Sequence, residues 1–172
     1  MNKLFIVCTV LLIMASCGPK STLHPASKTK SANRTVKQSK PKYNGISSIP
    51  MRREGGVCYV VVKINGVEME VIFDTGASDV VISSIEALFL LKHGKLTEDD
   101  IIGTSYYRIA NGGVSAGTII RLKSVQIGDR ILTDVRATVV DNMEAPLLLG
   151  QSALDRFTTV SIDYTNNIIN IQ

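Results

Sequence analysis

The sequence predicts a mainly β fold, a small closed β-barrel with two or three short helices. Three observations predict it. The β-branched apolar runs are short, turn signals separate them at close spacing, and helical patterning is confined to brief stretches. The run VCYVVVKI ends at Asn65-Gly66, the strongest short hairpin signal. VEMEVIF follows, with Glu68 and Glu70 alternating against Val67, Met69 and Val71. That is a strand with one wet face near its start and a buried end. Asp74-Thr75-Gly76 then makes a turn, and VVI beyond it is a third strand. SSIEALFLLKHG reads as a helix: Ser83 and Glu86 stand at capping-box spacing, Gly94 suits the C-cap, and His93 lies in the last turn, where a cation suits the helix dipole. A second short helix starts at Thr97. YYRIANGGVSAGTIIRL gives two strand arms about a glycine-rich tip, with Tyr106 and Tyr107 as hairpin packing residues. SVQIGDRILTDVRATVV is a hairpin turning at Gly128-Asp129. APLLLGQSALDRF runs apolar into Gly150 and then a short helix, and TTVSIDYTNNIINIQ closes as a hairpin near Asn166. There is no internal repeat, and no second Asp-Thr-Gly.

Charge divides the 172 residues unevenly. Of 19 Lys and Arg, ten lie in residues 1–54, beside a single acid, Glu54; the remainder holds nine basic and fourteen acidic residues. The net charge of +4 therefore averages a basic N-terminal segment and an acidic folded part. The acidic part carries no aromatic platforms interleaved with Lys and Arg, so a nucleic-acid partner is not expected. Residues 1–16 read as a targeting segment, with Lys3 in the n-region and LFIVCTVLLIM as an apolar stretch short for a membrane span. The stretch ends in MASC, which resembles the lipobox of bacterial lipoproteins, with Met14 where Leu is usual. That resemblance implies lipidation of Cys17 and a membrane anchor facing an extracytoplasmic compartment of a bacterial cell envelope. The other reading is an ordinary secretory signal with Cys17 an incidental thiol. Residues 17–50 are rich in Ser, Thr, Lys and Pro without hydrophobic periodicity, and are expected to form a tether with an end-to-end distance of roughly 30 Å. Its basic residues suit anionic headgroups or simply water. The domain is expected over residues 51–172. With Cys8 in the leader and Cys17 acylated, Cys58 alone remains as a thiol, a small core residue rather than a reactive one.

An apolar strand does not normally end in a bare charge, and Asp74 in VIFDTGASDVVIS does so. A lone Asp-Thr-Gly suits any turn; its context is more specific. FDTGAS, RIANGG and LLLGQSALDRF, taken together over Gly55–Gln172, resemble the retroviral-type, single-lobe (retropepsin-like) aspartic peptidases, and the bacterial branch of that group in particular. The resemblance implies a closed barrel that binds an extended peptide. It assigns catalysis to Asp74, Thr75 and Gly76. Ala77, Ser78 and Asp79 would line the substrate cleft, and Ile109, Ala110, Asn111, Gly112 and Gly113 would form the flap over it. Leu148, Leu149 and Gly150 would buttress the Asp74 loop. Retroviral enzymes carry a basic residue after that glycine, where this chain has Gln151, so an ion pair there is not carried over.

The chemistry stands beside the resemblance. Hydrolysing a peptide bond with no metal and no covalent intermediate needs one group to take a proton from water and another to give one to the carbonyl. Two carboxyls do both when they share one proton. One chain supplies one such Asp, so a homodimer with a twofold axis must supply the second. The C-terminal NIINIQ is a candidate dimer element. No cofactor is implied, and no metal-ligand constellation, phosphate loop or Ser-His-Asp set is present in the sequence. Two other readings remain open at this level: a peptide-binding module that does not cleave, and a structural envelope lipoprotein on the same barrel.

Overall fold

The computed structural model describes residues 45–108 and 112–172; Cys17, the leader at 1–16 and most of the tether lie outside them. Strands β2 (Val57–Ile64) and β3 (Val67–Phe73) form the first hairpin, paired from Ile64↔Val67 to Tyr59↔Ile72. Its turn places Asn65 at φ 48° and Gly66 at φ 83°, the two positive values a tight hairpin needs. The Asn65 side chain then ties the turn to the rest of the molecule. Its amide donates to the Lys95 carbonyl at 2.7 Å and its oxygen accepts from the Ser124 N–H at 3.0 Å.

After the Asp74 turn come β4 (Val80–Ser83), helix α1 (Ser84–Lys92) and a 3-10 turn at Glu98–Asp100. Ser83 caps α1, accepting from the Ile85 N–H at 3.2 Å and bonding Glu86. Strands β5 (Ile101–Arg108), β6 (Val114–Ile127) and β7 (Arg130–Val140) form a long meander. The short β8 (Leu148–Leu149) leads into α2 (Gln151–Leu154), and β9 (Val160–Asp163) and β10 (Ile168–Ile171) end the fold.

The strands close on themselves. β2 pairs with β3, β3 runs parallel to β8, and β8 is antiparallel to β4. β4 runs parallel to β7, β7 pairs with β6, and β6 returns to β2 through Val62↔Ile127 and Ile64↔Val125. This ring is the small barrel that the sequence predicts, closed through the short β8, which pairs with β3 at Ile72 and Phe73 and with β4 at Val81. Val62, Ile64, Val71, Ile82, Ile120, Leu122, Val125, Leu132, Val135 and Leu149 fill its interior, each at most 2% exposed. Each contributes roughly 1.5–3 kcal/mol by leaving water. No helix among the described residues is long and apolar enough to cross a membrane.

Two features differ from expectation. A strand, β1 (Ser47–Glu54), begins inside the segment assigned to the tether. Ser47, Ile49 and Met51 are buried while Ser48, Pro50 and Arg52 are exposed, so its period of two is intact. Its first half pairs with β10 and its second half with β2. Arg52 holds it further, lying 4.2 Å over the Tyr59 ring and reaching Glu70 with two nitrogens at 3.0 and 2.8 Å. The second difference concerns NIINIQ. β10 is paired on both sides, by β1 and by β9, so it has no free edge to offer another chain. The terminal strands of the whole order are β5 and β9.

Candidate active site

β3 delivers Asp74 from the core to the surface. Phe73 is buried, Asp74 is half-buried, and Thr75 and Gly76 are exposed. The Asp74 N–H donates to the Leu149 carbonyl at 3.2 Å, which fixes where the strand ends. One carboxylate oxygen, Oδ1, accepts from the Gly76 N–H at 2.8 Å, and the Ala77 N–H closes the turn onto the Asp74 carbonyl at 3.3 Å. A backbone donor on a carboxylate oxygen favours an ordered, acceptor-ready group.

The loop is held from behind by β8 and α2. The first N–H groups of a helix have no partner within it. Here Gln151 gives its N–H to the Ala77 carbonyl at 2.9 Å and Ser152 gives its N–H to the Ser78 carbonyl at 3.0 Å. The Ser152 hydroxyl accepts from the Val80 N–H at 2.8 Å and donates to the Arg136 carbonyl at 2.7 Å, joining β4 to β7. The Gln151 side chain donates to the Thr75 carbonyl at 2.8 Å. A neutral amide therefore stands where retroviral enzymes place a cation, and supports the loop through its backbone. Gly150 makes this approach possible. A Cβ there would sit 2.1 Å from the Asp79 carbonyl oxygen and 2.7 Å from that of Ala77.

In front of the loop lies a cleft of about 970 Å³, a volume that suits a ligand of peptide size. Asp74 and Gly76 to Asp79 form its floor. Ser105 to Arg108 of β5 form one wall. Arg136, Thr138 and Val140 of β7 line it, as do Val81 and the segment carrying Asn142, Pro146 and Leu148. The ion pair of the cleft is Asp79 with Arg136. The guanidinium Nε lies 3.1 and 3.2 Å from the two carboxylate oxygens, and Thr138 adds its hydroxyl at 2.8 Å. Asp79 is the more enclosed partner, with a side chain 18% exposed against 48% for Arg136.

The structure thus brings Asp74, Thr75, Gly76, Ala77, Ser78 and Asp79 into one loop against Leu148, Leu149 and Gly150. Leu148 faces the cleft and Leu149 is buried behind it. Gly112 and Gly113 sit between β5 and β6 and are not among the residues lining the cleft; the Gly112 carbonyl accepts from Arg108 at 3.2 Å. Ile109, Ala110 and Asn111 lie outside the described residues. Tyr106 is not a packing residue: it is 75% exposed and lines the cleft. Tyr107 is half-buried, against the face where Gly117 leaves room for it. Sequence reasoning passes over Arg108, Arg136, Thr138 and Pro146. The alternation of β7 would have marked Arg136 as outward-facing, but only the β4–β7 register carries it to Asp79, 57 residues away.

Comparison with known proteins follows the same outline. The sequence family described as "gag-polyprotein putative aspartyl protease" matches residues 60–156. A crystal structure of a retropepsin-like aspartic protease from Rickettsia conorii is similar at a TM-score of 0.55 and 26% sequence identity, over 74% of this chain and 90% of that chain. No curated protein matches the chain.

Proposed function

Since this chain belongs to the gag-polyprotein aspartyl protease family, we propose that it is an aspartic endopeptidase whose active site is completed by a second copy of itself. The observation that carries the reading is one carboxylate, Asp74, braced from behind and open to a cleft of peptide size. In the proposed dimer the two Asp74 carboxyls flank a water and share one proton. The ionised one takes a proton as the water oxygen attacks the peptide carbonyl carbon, and the other protonates the carbonyl oxygen. The C–N bond of the resulting tetrahedral diol then breaks, its electron pair leaving with the nitrogen; the nitrogen takes the proton that the first Asp74 gained from water, a diol hydroxyl returns a proton to the second Asp74, and a new carboxyl and amine are released. Thr75, whose hydroxyl has no hydrogen bond among the described residues, would tie the two loops across the axis. Ala77, Ser78 and Asp79 would bind substrate backbone as an added strand. The flap, from Ile109 to Gly113, would close over it and exclude water.

The cellular placement is also a proposal. The MASC motif supports lipid attachment at Cys17 and an extracytoplasmic position on a bacterial envelope. Metabolic labelling with a fatty-acid analogue tests it: the label should be lost in Cys17→Ser.

Asp74→Asn is the direct test of the chemistry. Cleavage of a diverse peptide library should fall by at least about a thousandfold, on the scale expected when an essential catalytic group is removed, while peptide binding persists. A wild-type protein that binds peptides and cleaves none from acidic to neutral pH would instead identify a binding module. Cleavage that survives in the Asn variant would remove Asp74 from the mechanism.

A further inference from the structure

Helix α1 is apolar on two opposite faces. Ala87 and Leu90 are buried against the barrel. Ile85, Leu88 and Phe89 point the other way, and are 51%, 51% and 44% exposed. With Lys92 they follow the i, i+3, i+4, i+7 spacing of one helical stripe. Nothing among the described residues covers this stripe, and no α1 residue lines the peptide cleft. The stripe runs into Lys92, His93 and Lys95, all exposed, while Glu86, the helix's carboxylate, is tied to Ser83 at the other end. The His93 ring stacks on Phe89 at 4.1 Å, which keeps the aromatic at the basic end.

We propose that this face of α1 docks onto an anionic lipid surface. Ile85, Leu88 and Phe89 would enter the headgroup boundary, with Lys92 and Lys95 against lipid phosphates. The proposal does not depend on the peptidase reading. Two features favour lipid over a second protein. First, a nine-residue helix is about 14 Å long and about 10 Å across, which is far below the roughly 800 Å² per partner that a stable protein interface buries. A bilayer needs no matching shape and accepts a small patch. Second, the charge matches. Residues 1–44 are basic and begin with an apolar stretch, so the segment preceding the domain suits the same surface. Any attachment made there would raise the local concentration of a weak second contact.

The chain contains no Trp, so one introduced Trp is a single-site reporter. Phe89→Trp in the full chain, mixed with phosphatidylglycerol vesicles carrying brominated acyl chains, should show emission shifted to the blue and quenched. Leu88→Trp reports on the same stripe if the first variant folds poorly. Tyr164→Trp, at the exposed β9–β10 turn, should be neither shifted nor quenched under the same conditions. Adding Lys92→Glu to the Phe89→Trp variant should reduce the quenching, as should high salt. Unchanged emission from both stripe reporters would overturn the proposal, and so would equal quenching at Tyr164→Trp. A blue shift that appears without vesicles and grows with protein concentration would assign the face to a second copy instead.

Discussion

Among the described glycines, a Cβ would meet its closest contact at Gly150. The 2.1 Å separation between a would-be Cβ and the Asp79 carbonyl oxygen is with backbone, which cannot rotate aside as a side chain can. Gly150→Ala should therefore force α2 away from the Asp74 loop. The expected cost is about 3 kcal/mol, the upper range for overpacking, and hydrolysis should fall together with stability. Urea unfolding and peptide cleavage on the same preparation check this, and a fully stable, fully active Ala variant would contradict the bracing role. Gln151 acts more gently. Its side chain is exposed and makes one hydrogen bond, to the Thr75 carbonyl. Gln151→Ala should cost only about 1 kcal/mol of stability and, under the proposed mechanism, lower turnover more than substrate affinity, because Gln151 positions the Asp74 loop and is not among the residues lining the cleft. An unchanged turnover number in steady-state kinetics would deny it that role.

The elements around the site have their own fixed points. Asp100 ends the 3-10 turn and is buried there. Burial alone would raise its carboxyl, but Lys123 at 3.0 Å and the hydroxyl and N–H of Thr97, both at 2.9 Å, outweigh it and hold the group below the ordinary Asp range. A lowered folded-state value means that the unfolded chain takes up the proton first. The stabilisation is therefore full above the ordinary Asp range and fades as pH falls through the lowered folded value. Asp100→Asn should cost about 1–3 kcal/mol at neutral pH, with the gap to wild type narrowing below about pH 4. A gap that stays constant in acid would show that the ion pair contributes nothing. Ser83 plays the parallel part for α1, and Ser83→Ala should cost about 1 kcal/mol. That cap was legible in sequence, as were the Asn65-Gly66 hairpin, the β6–β7 turn and the run from Leu148 into α2, because each is a local signal. β1 was not. Pro50 and the two arginines obscure the strand, although Ser47, Ile49 and Met51 alternate correctly. Asp74 could be picked out because a charge ends an apolar strand. Arg136 and Tyr106 could not, since their place in the cleft depends on long-range register.

At the scale of the whole molecule, the chain carries one Asp-Thr-Gly loop, and the proposed mechanism needs two. β10 is enclosed by β1 and β9, so a partner cannot add to it without displacing a strand. In the proposed dimer the joining surface would include the front of the Asp74 loop, where a twofold axis would place the two carboxylates together. Under the proposed mechanism activity would be a property of pairs. When cleavage is measured at concentrations below the dimerisation constant, the rate should rise with the square of protein concentration. Mixing offers the sharper measurement. If wild type and Asp74→Asn exchange subunits freely, equal parts leave wild-type pairs as about a quarter of all dimers, because isologous partners associate at random. Activity per dimer should fall to that fraction. A monomeric enzyme, or a dimer with two independent sites, would instead retain half. Exchange must be verified with labelled subunits, since unexchanged dimers would also retain half. Half the activity after proven exchange would place a complete reaction centre within one chain, and a second proton-handling group would have to be found in the cleft beside Asp74.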